Sequence, residues 1–414
     1  MSAERPGPLA GVRVVELAGE LSSYCGKLLA DLGADVVVVE PPGGHASRSY
    51  GPFVDDVPDP ERSLWWWWYN TSKRGVVVDL ATADGRLDFR RLAATADIVV
   101  ESEHPGHLAA LHIDHGDIRA AHPDLIWVSV TPFGRSGPRA ADPATDLTIL
   151  AGGGPVWSCG YDDHTLPPVR GGGNQGLHTA SVFALMSALV ALVHRDAGGS
   201  GQHIDVNAHA AANVTTEISS VSWLLAGRTV QRQTGRHAML EPTLPVQVLA
   251  ADGRYVTTGF APQQARHFQL LLDWMDELGV REDFPEAFFL ELGIERGGID
   301  SRELEGDPEG LAIMGAGRDA LVFIASKVAA YDFFVGSQER GMQCGIIWTP
   351  DEALFDTHFQ ARGIATTVRH DDIGRDVVYA DAPIGFTRSP SRISRRAPHL
   401  GEHDGELLGD PGAS

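Results

Sequence analysis

The chain has only three cysteines in 414 residues, Cys25, Cys159 and Cys344, far apart and odd in number. That argues against a disulfide framework or a cysteine-based zinc site and fits reduced thiols in a cytoplasm. Positive charge is scarce as well. There are 33 lysines and arginines against 55 acidic residues, a formal charge of -22. So acidic a balance argues against nucleic acid and anionic membranes as partners. Residues 1–11 hold no apolar signal segment, so a cytoplasmic location is expected rather than secretion. The longest apolar run follows Thr179. Ser181 and Ser187 interrupt it and it ends at His194, which reads as too short and too polar for a membrane span. Repeats and low-complexity tracts are lacking.

Apolar residues make up 43% of the chain, enough for a large core. Residues 12–18 are nearly all apolar, as a parallel strand covered on both faces requires. Residues 21–32 set Leu21, Leu28, Leu29 and Leu32 near one helical face, and Gly33 follows as the stop. Residues 35–40 are a second strand, so the chain opens as a βαβ unit. The turn at 18–22 lacks the glycine pattern of a dinucleotide site, so NAD is not expected. A loop rich in Pro, Gly and Asp spans 41–61. The four consecutive tryptophans at 65–68 read as core or subunit-interface packing. Strands are expected at 75–80, 97–101 and 125–130, and a helix over 82–95 with Thr82 as its cap. Residues 226–330 are less regular and read as a smaller α+β domain, with a hairpin at Asp252-Gly253.

Residues 169–206 organise the rest. Gly171, Gly172 and Gly173 lead into a small-residue apolar helix over 179–195. Gly198, Gly199 and Gly201 then turn the chain into a strand ending at Asp205 and Val206. A glycine-rich turn feeding a helix start offers free backbone N–H groups and a positive dipole end, where an oxyanion or a catalytic carboxylate sits. A tight turn into a buried helix uses the same residues.

This pattern resembles the family III CoA-transferases, the group that includes formyl-CoA transferase, carnitine CoA-transferase and α-methylacyl-CoA racemase. The likeness rests on residues 8–16, 28–36 and 40–44, then on 51–53, 69–74, 131–138, 144–147 and 199–206. It continues at 252–256, 341–351, 359–363 and the ending 398–403. It implies an α/β fold with a Rossmann-like large domain of parallel strands and helices built from 1–225 and 331–414, with 226–330 as the small domain. It further implies a homodimer of interlocked rings, an acyl-CoA and a carboxylic acid as substrates, coenzyme A entering as the thioester, and no metal.

In that family an aspartate attacks the acyl-CoA thioester and forms a mixed anhydride, from which CoA and acyl groups pass to an acceptor acid. Here its place holds Leu177, or Gly176 with a one-residue gap, or Gly172 when the glycine clusters are matched. The racemase branch's histidine and glutamate are replaced by Thr145 and Ala261, which removes the base that proton abstraction needs. Val38 stands where the family has a lysine. Among substitutes, His178 lies beside the lost aspartate, Asn174 and Gln175 can orient an oxyanion, and Asp146 is an orienting carboxylate. The resemblance places Ser102 and His104 in a turn beside CoA. Lys73, Arg74, Arg135 and Arg139 are candidate contacts for its phosphates. On that reading, Lys73→Ala with Arg74→Ala weakens CoA-thioester binding. His178 equally suits a buried hydrogen-bonded histidine, and Lys73 with Arg74 a solvated basic pair. The expected activity is a CoA-transferase with altered catalytic residues. The alternatives are a non-catalytic CoA-thioester-binding protein or partner subunit, and a CoA-thioester isomerase, lyase or hydrolase.

Overall fold

The computed structural model describes residues 6–409, in two units. The larger holds the chain up to Cys159, Pro168–Arg228 and the chain from Leu354 onward. The smaller holds Gly160–Pro167 and Thr229–Ala353.

In the larger unit the apolar runs become β1 (Arg13–Leu17), β2 (Asp35–Glu40), β3 (Arg74–Val77), β4 (Ile98–Glu101), β5 (Ile126–Thr131) and β6 (His203–Asn207). They form one parallel sheet in the order β3-β2-β1-β4-β5-β6, the doubly wound arrangement. Helices α1 (Ser23–Asp31), α2 (Leu64–Asn70), α3 (Ala83–Ala94), α4 (His107–Ala110), α5 (His115–Arg119), α6 (Asp146–Gly153), α7 (Gln175–Asp196), α8 (Ala208–Asn213) and α9 (Glu217–Ala226) accompany it. Strand alternation sends Val14 to one face of the sheet and Val15 and Leu17 to the other. On the first face Ala180, Ala184, Ala188 and Ala191 of α7 are buried with Leu28 and Leu29 of α1 and Val128 of β5. Their spacing puts them on one side of the helix, and their small side chains let it approach closely. On the second face Phe89 and Leu92 of α3 cover Val15, Val37 and Val99.

Local signals set several boundaries. Gly33, at φ +97°, ends α1 as expected, and the Thr82 hydroxyl accepts the Gly85 N–H at 3.0 Å at the start of α3. Helix α7 differs from expectation twice. It begins at Gln175 rather than 179. It is also long and apolar enough to cross a membrane by length and composition, contrary to the reading from the sequence. Half of its most apolar window is buried in the protein.

The smaller unit carries the strands β7 (Gln231–Gln233), β8 (Arg236–Met239), β9 (Gln247–Leu249), β10 (Tyr255–Thr257) and β11 (Gly345–Ile346). Its helices are α10 (Ala265–Leu278), α11 (Ala287–Glu295), α12 (Pro308–Ala325) and α13 (Ala330–Glu339). The hairpin expected at Asp252-Gly253 joins β9 to β10. The sequence put the chain's return to the large domain at 331. The return lies at Leu354, because Phe333 of α13, Met342 and Cys344 are buried in the core of the smaller unit beside Phe268, Leu271 and Met275.

The return segment of the larger unit forms the antiparallel hairpin β12 (Ala365–His370) and β13 (Arg375–Ala380). Val368, Tyr379 and Ile393 pack there with Trp66 and Trp67 of α2. The segment then covers β3, an edge strand. His403 N–H donates to the Gly75 carbonyl at 3.0 Å, and Val77 N–H donates to Asp404 Oδ1 at 2.8 Å.

Candidate active site

In an open parallel sheet ligands bind outside the carboxyl ends of the strands, where strand order reverses. That point lies here between the turns after β1 and β4. The two turns touch: the Ser22 and Ser102 hydroxyls lie 3.2 Å apart. A Cβ on Gly19 would sit 2.0 Å from Ser102 Oγ, so any larger residue there must displace the Ser102 side chain. Beside them opens a cavity of about 310 Å³ lined by Gly19, Glu20, His45, Ser102, Glu103, Thr145, Asp146 and Leu177, among others. Its carboxylates outnumber its one histidine. Burial depresses the His45 pKa, opposed by Glu20 and Glu40.

The amino end of α7 forms one wall. The Asp146 carboxylate accepts the N–H groups of Gly176 at 2.8 Å and Leu177 at 3.2 Å through Oδ1. Arg170 Nη1 binds its other oxygen at 2.5 Å and reaches the Gly173 carbonyl at 2.7 Å. A carboxylate from a distant element therefore caps the helix and extends it back to Gln175. The free N–H groups expected for an oxyanion at this turn are in part taken by Asp146. Leu177, one of the three residues set against the family aspartate, is buried in one core cluster with Ile149 and Leu150.

His178 is absent from the lining of the cavity. It lies in an aromatic group, with its ring centroid 4.4 Å from Tyr24 and 5.5 Å from Trp68. Tyr69 Oη lies 2.7 Å from His178 Nε2, and Asn174 Nδ2 donates to the same hydroxyl at 3.2 Å. Burial lowers the His178 pKa, with the Asp146 charge opposing. Burial also raises Tyr69 to about 12. In the tautomer with its proton on Nδ1, the neutral imidazole accepts from the Tyr69 hydroxyl at Nε2. Gln175 is exposed, its amide against Gly171. The aromatic partners of His178 were not singled out from the sequence as site residues, although Trp65, Trp68 and Tyr69 have the i, i+3, i+4 spacing of one helix face. His45 and Arg170 gave no signal.

The structure places three of the phosphate candidates in ion pairs with carboxylates. Lys73 is fully buried, with Nζ 2.7 Å from Glu16 Oε2 and hydrogen bonds to the Ser23 carbonyl and Asn70 Oδ1. It is not a solvated basic residue, and its buried side chain lies behind the wall of the cleft beside β12. Arg74 pairs with Asp35 and Glu406 at the amino-terminal end of β2, the wrong end of the sheet. Arg135 Nη1 lies 3.2 Å from buried Glu101. Ser102 lines the cavity, and His104 and Arg139 are exposed. His104 lies within hydrogen-bond distance of the carbonyls of Pro105 and Ala141. Among the described residues no group of three or more His, Cys, Asp or Glu is placed to hold a metal ion.

The fold, the position of the cavity and the glycine turn define a class. The profile of CoA-transferase family III matches residues 9–288 and 320–404, and the chain belongs to that family. It is 32% identical over 400 residues to the succinyl-CoA:(R)-benzylsuccinate CoA-transferase subunit BbsE of Thauera aromatica, covering 96% of this chain and 92% of that one. It is 30% identical to the succinyl-CoA:mesaconate CoA-transferase of Haloarcula hispanica, with 98% and 97% covered. A CAIB/BAIF family protein from Brucella suis superposes with a TM-score of 0.76 at 26% identity, over 98% of this chain and 99% of that one. The protein is a family III CoA-transferase acting on CoA thioesters.

Proposed function

We propose that this chain works in a mixed assembly, moving CoA from succinyl-CoA to a second carboxylic acid, with the nucleophilic carboxylate supplied by another family III chain. The observation that carries the reading lies around Leu177. The resemblance sets Leu177, Gly176 or Gly172 against the nucleophile, none of them a carboxylate, and Asp146, which is bonded to the Leu177 amide, is held by two helix amides and Arg170. A carboxylate so fully bonded is a poor nucleophile. The Thauera relative is named as a subunit, and several relatives are named for succinyl-CoA, which supports both halves of the reading.

A partner surface supports it too. Val182, Met186, Val190 and Val193 line an exposed stripe on α7, and Trp223, Leu224 and Leu225 are exposed on α9. Contiguous apolar surface of this kind is what association covers. Within the assembly, the partner's carboxylate attacks the succinyl thioester carbonyl and expels the CoA thiolate. The acceptor carboxylate then attacks the enzyme-side carbonyl of that anhydride and releases succinate, and the retained CoA thiolate attacks the acceptor's carbonyl, which forms the new thioester and frees the partner's carboxylate.

Transfer from succinyl-CoA to a panel of dicarboxylic acids tests the proposal. The chain is assayed alone and after co-expression with each family III chain of its genome that carries the aspartate. Product only in a co-expressed pair supports it; turnover by the chain alone overturns it. The Tyr69–His178 hydrogen bond favours a second reading, in which His178 serves as base and the chain works alone. Activity of the single chain that disappears in His178→Ala selects that reading.

A further inference from the structure

We propose that the cleft between β12 and the closing segment 393–403 is a second ligand site, for a phosphate monoester dianion. The cleft has a volume of about 490 Å³ and shares no lining residue with the cavity at the strand ends. That volume is in the range of small-molecule sites.

His403 Nδ1 accepts the Gly75 N–H at 3.2 Å. Burial lowers the His403 pKa, opposed by Glu402 and Glu406 and reinforced by Arg395 and Arg74. Because Nδ1 accepts the Gly75 N–H, the ring's proton belongs on Nε2. Arg395 Nη1 lies 3.3 Å from that same Nε2. A guanidinium has donors and no acceptor, so two donors face one another across the cleft. An oxyanion between them accepts from both. Arg395 is also the arginine of the cleft left open for such a ligand. Arg396 is held by both oxygens of Glu402, at 2.8 and 2.9 Å. Arg369 leans on Asp371 at 3.0 Å. Arg395 shows no carboxylate contact among the described residues.

The site is built on a fixed frame. Ser72 N–H donates to the Arg395 carbonyl at 3.0 Å, and Ser394 N–H donates to Ser72 Oγ at 3.0 Å. Trp66 Nε1 holds the Pro398 carbonyl at 3.1 Å. Truncating the Arg395 side chain leaves these bonds intact. Val368, Ile393 and Pro398 give the cleft an apolar part, and Asp371 and Glu402 line it too. A ligand with one phosphate, hydroxyls for the carboxylates and an apolar face fits this set. Free phosphate and a nucleoside monophosphate share the recognised chemistry.

Calorimetric titration with AMP, inorganic phosphate and adenosine tests this on the full chain, its Arg395→Ala variant and its His403→Asn variant, which keeps an acceptor for Gly75. The expected result is saturable binding of AMP or phosphate, none of adenosine, and a loss of about tenfold or more in each variant. Tighter AMP identifies a nucleotide as the source, and equal affinities identify free phosphate. If a variant does not fold, the His403 ring resonances of the unmodified chain take its place, and they should shift on addition of the bound anion. Absence of binding, affinities unchanged in both variants, or unmoved ring resonances overturn the proposal.

Discussion

Lys73 and Glu16 form a contact buried from all solvent. Burial raises Glu16 to about 7 and depresses Lys73, each partly offset by the other. Gly26 makes room, since a Cβ there would lie 1.6 Å from Glu16 Oε2. Breaking a buried pair by removing one partner costs about 3–5 kcal/mol, whereas replacing both is far milder. Lys73→Met is therefore expected to lower unfolding free energy by about that amount, and adding Glu16→Gln to restore most of it. Denaturant melts of the two variants check this. A second residue prediction concerns His203, whose pKa is lowered to about 4 by burial and by His115 and Arg135. The unfolded histidine titrates near ~6.5. Between those values the unfolded chain binds a proton that the folded chain refuses, so this contribution is full above ~6.5 and is lost as pH falls toward 4. Stability measured against pH should be flatter across that window in His203→Gln.

At the scale of elements, the two turns at the strand ends hold the site. Gly19→Ala places a methyl on Ser102 Oγ. The expected cost is about 1–3 kcal/mol, the usual range for overpacking. Ser102→Gly should relieve it, so the double variant is expected to be more stable than the sum of the single changes. Thermal melts of the three variants show the non-additivity. Elements like these were partly legible in the sequence. The apolar runs of β1 and β2, the stop at Gly33 and the cap at Thr82 are local signals, and each appears where it was read. The start of α7 was not legible because its cap is Asp146, some 30 residues earlier in the chain. Lys73 read as exposed because its partner Glu16 comes from another strand. The cavity's side chains were only partly foreseen, since His45 and Arg170 become site residues through tertiary placement alone.

At the scale of the whole molecule, the larger unit is not finished until its last residues arrive. Its sheet ends at β3, whose Val77 N–H is bonded by Asp404, 327 residues later. At roughly 5–20 residues per second, a growing chain waits roughly 15–65 s between making the strand and making its cover. During that time β3 is a free sheet edge, the kind of surface that recruits other strands. Nascent chains of this protein should therefore engage a holding chaperone until the segment that carries Asp404 has emerged. A chain stopped after residue 392 is expected to form aggregates, measurable by sedimentation of freshly translated material, while one stopped after residue 409 stays dispersed. The order in which the ribosome delivers this protein thus leaves the β3 edge unguarded for most of translation.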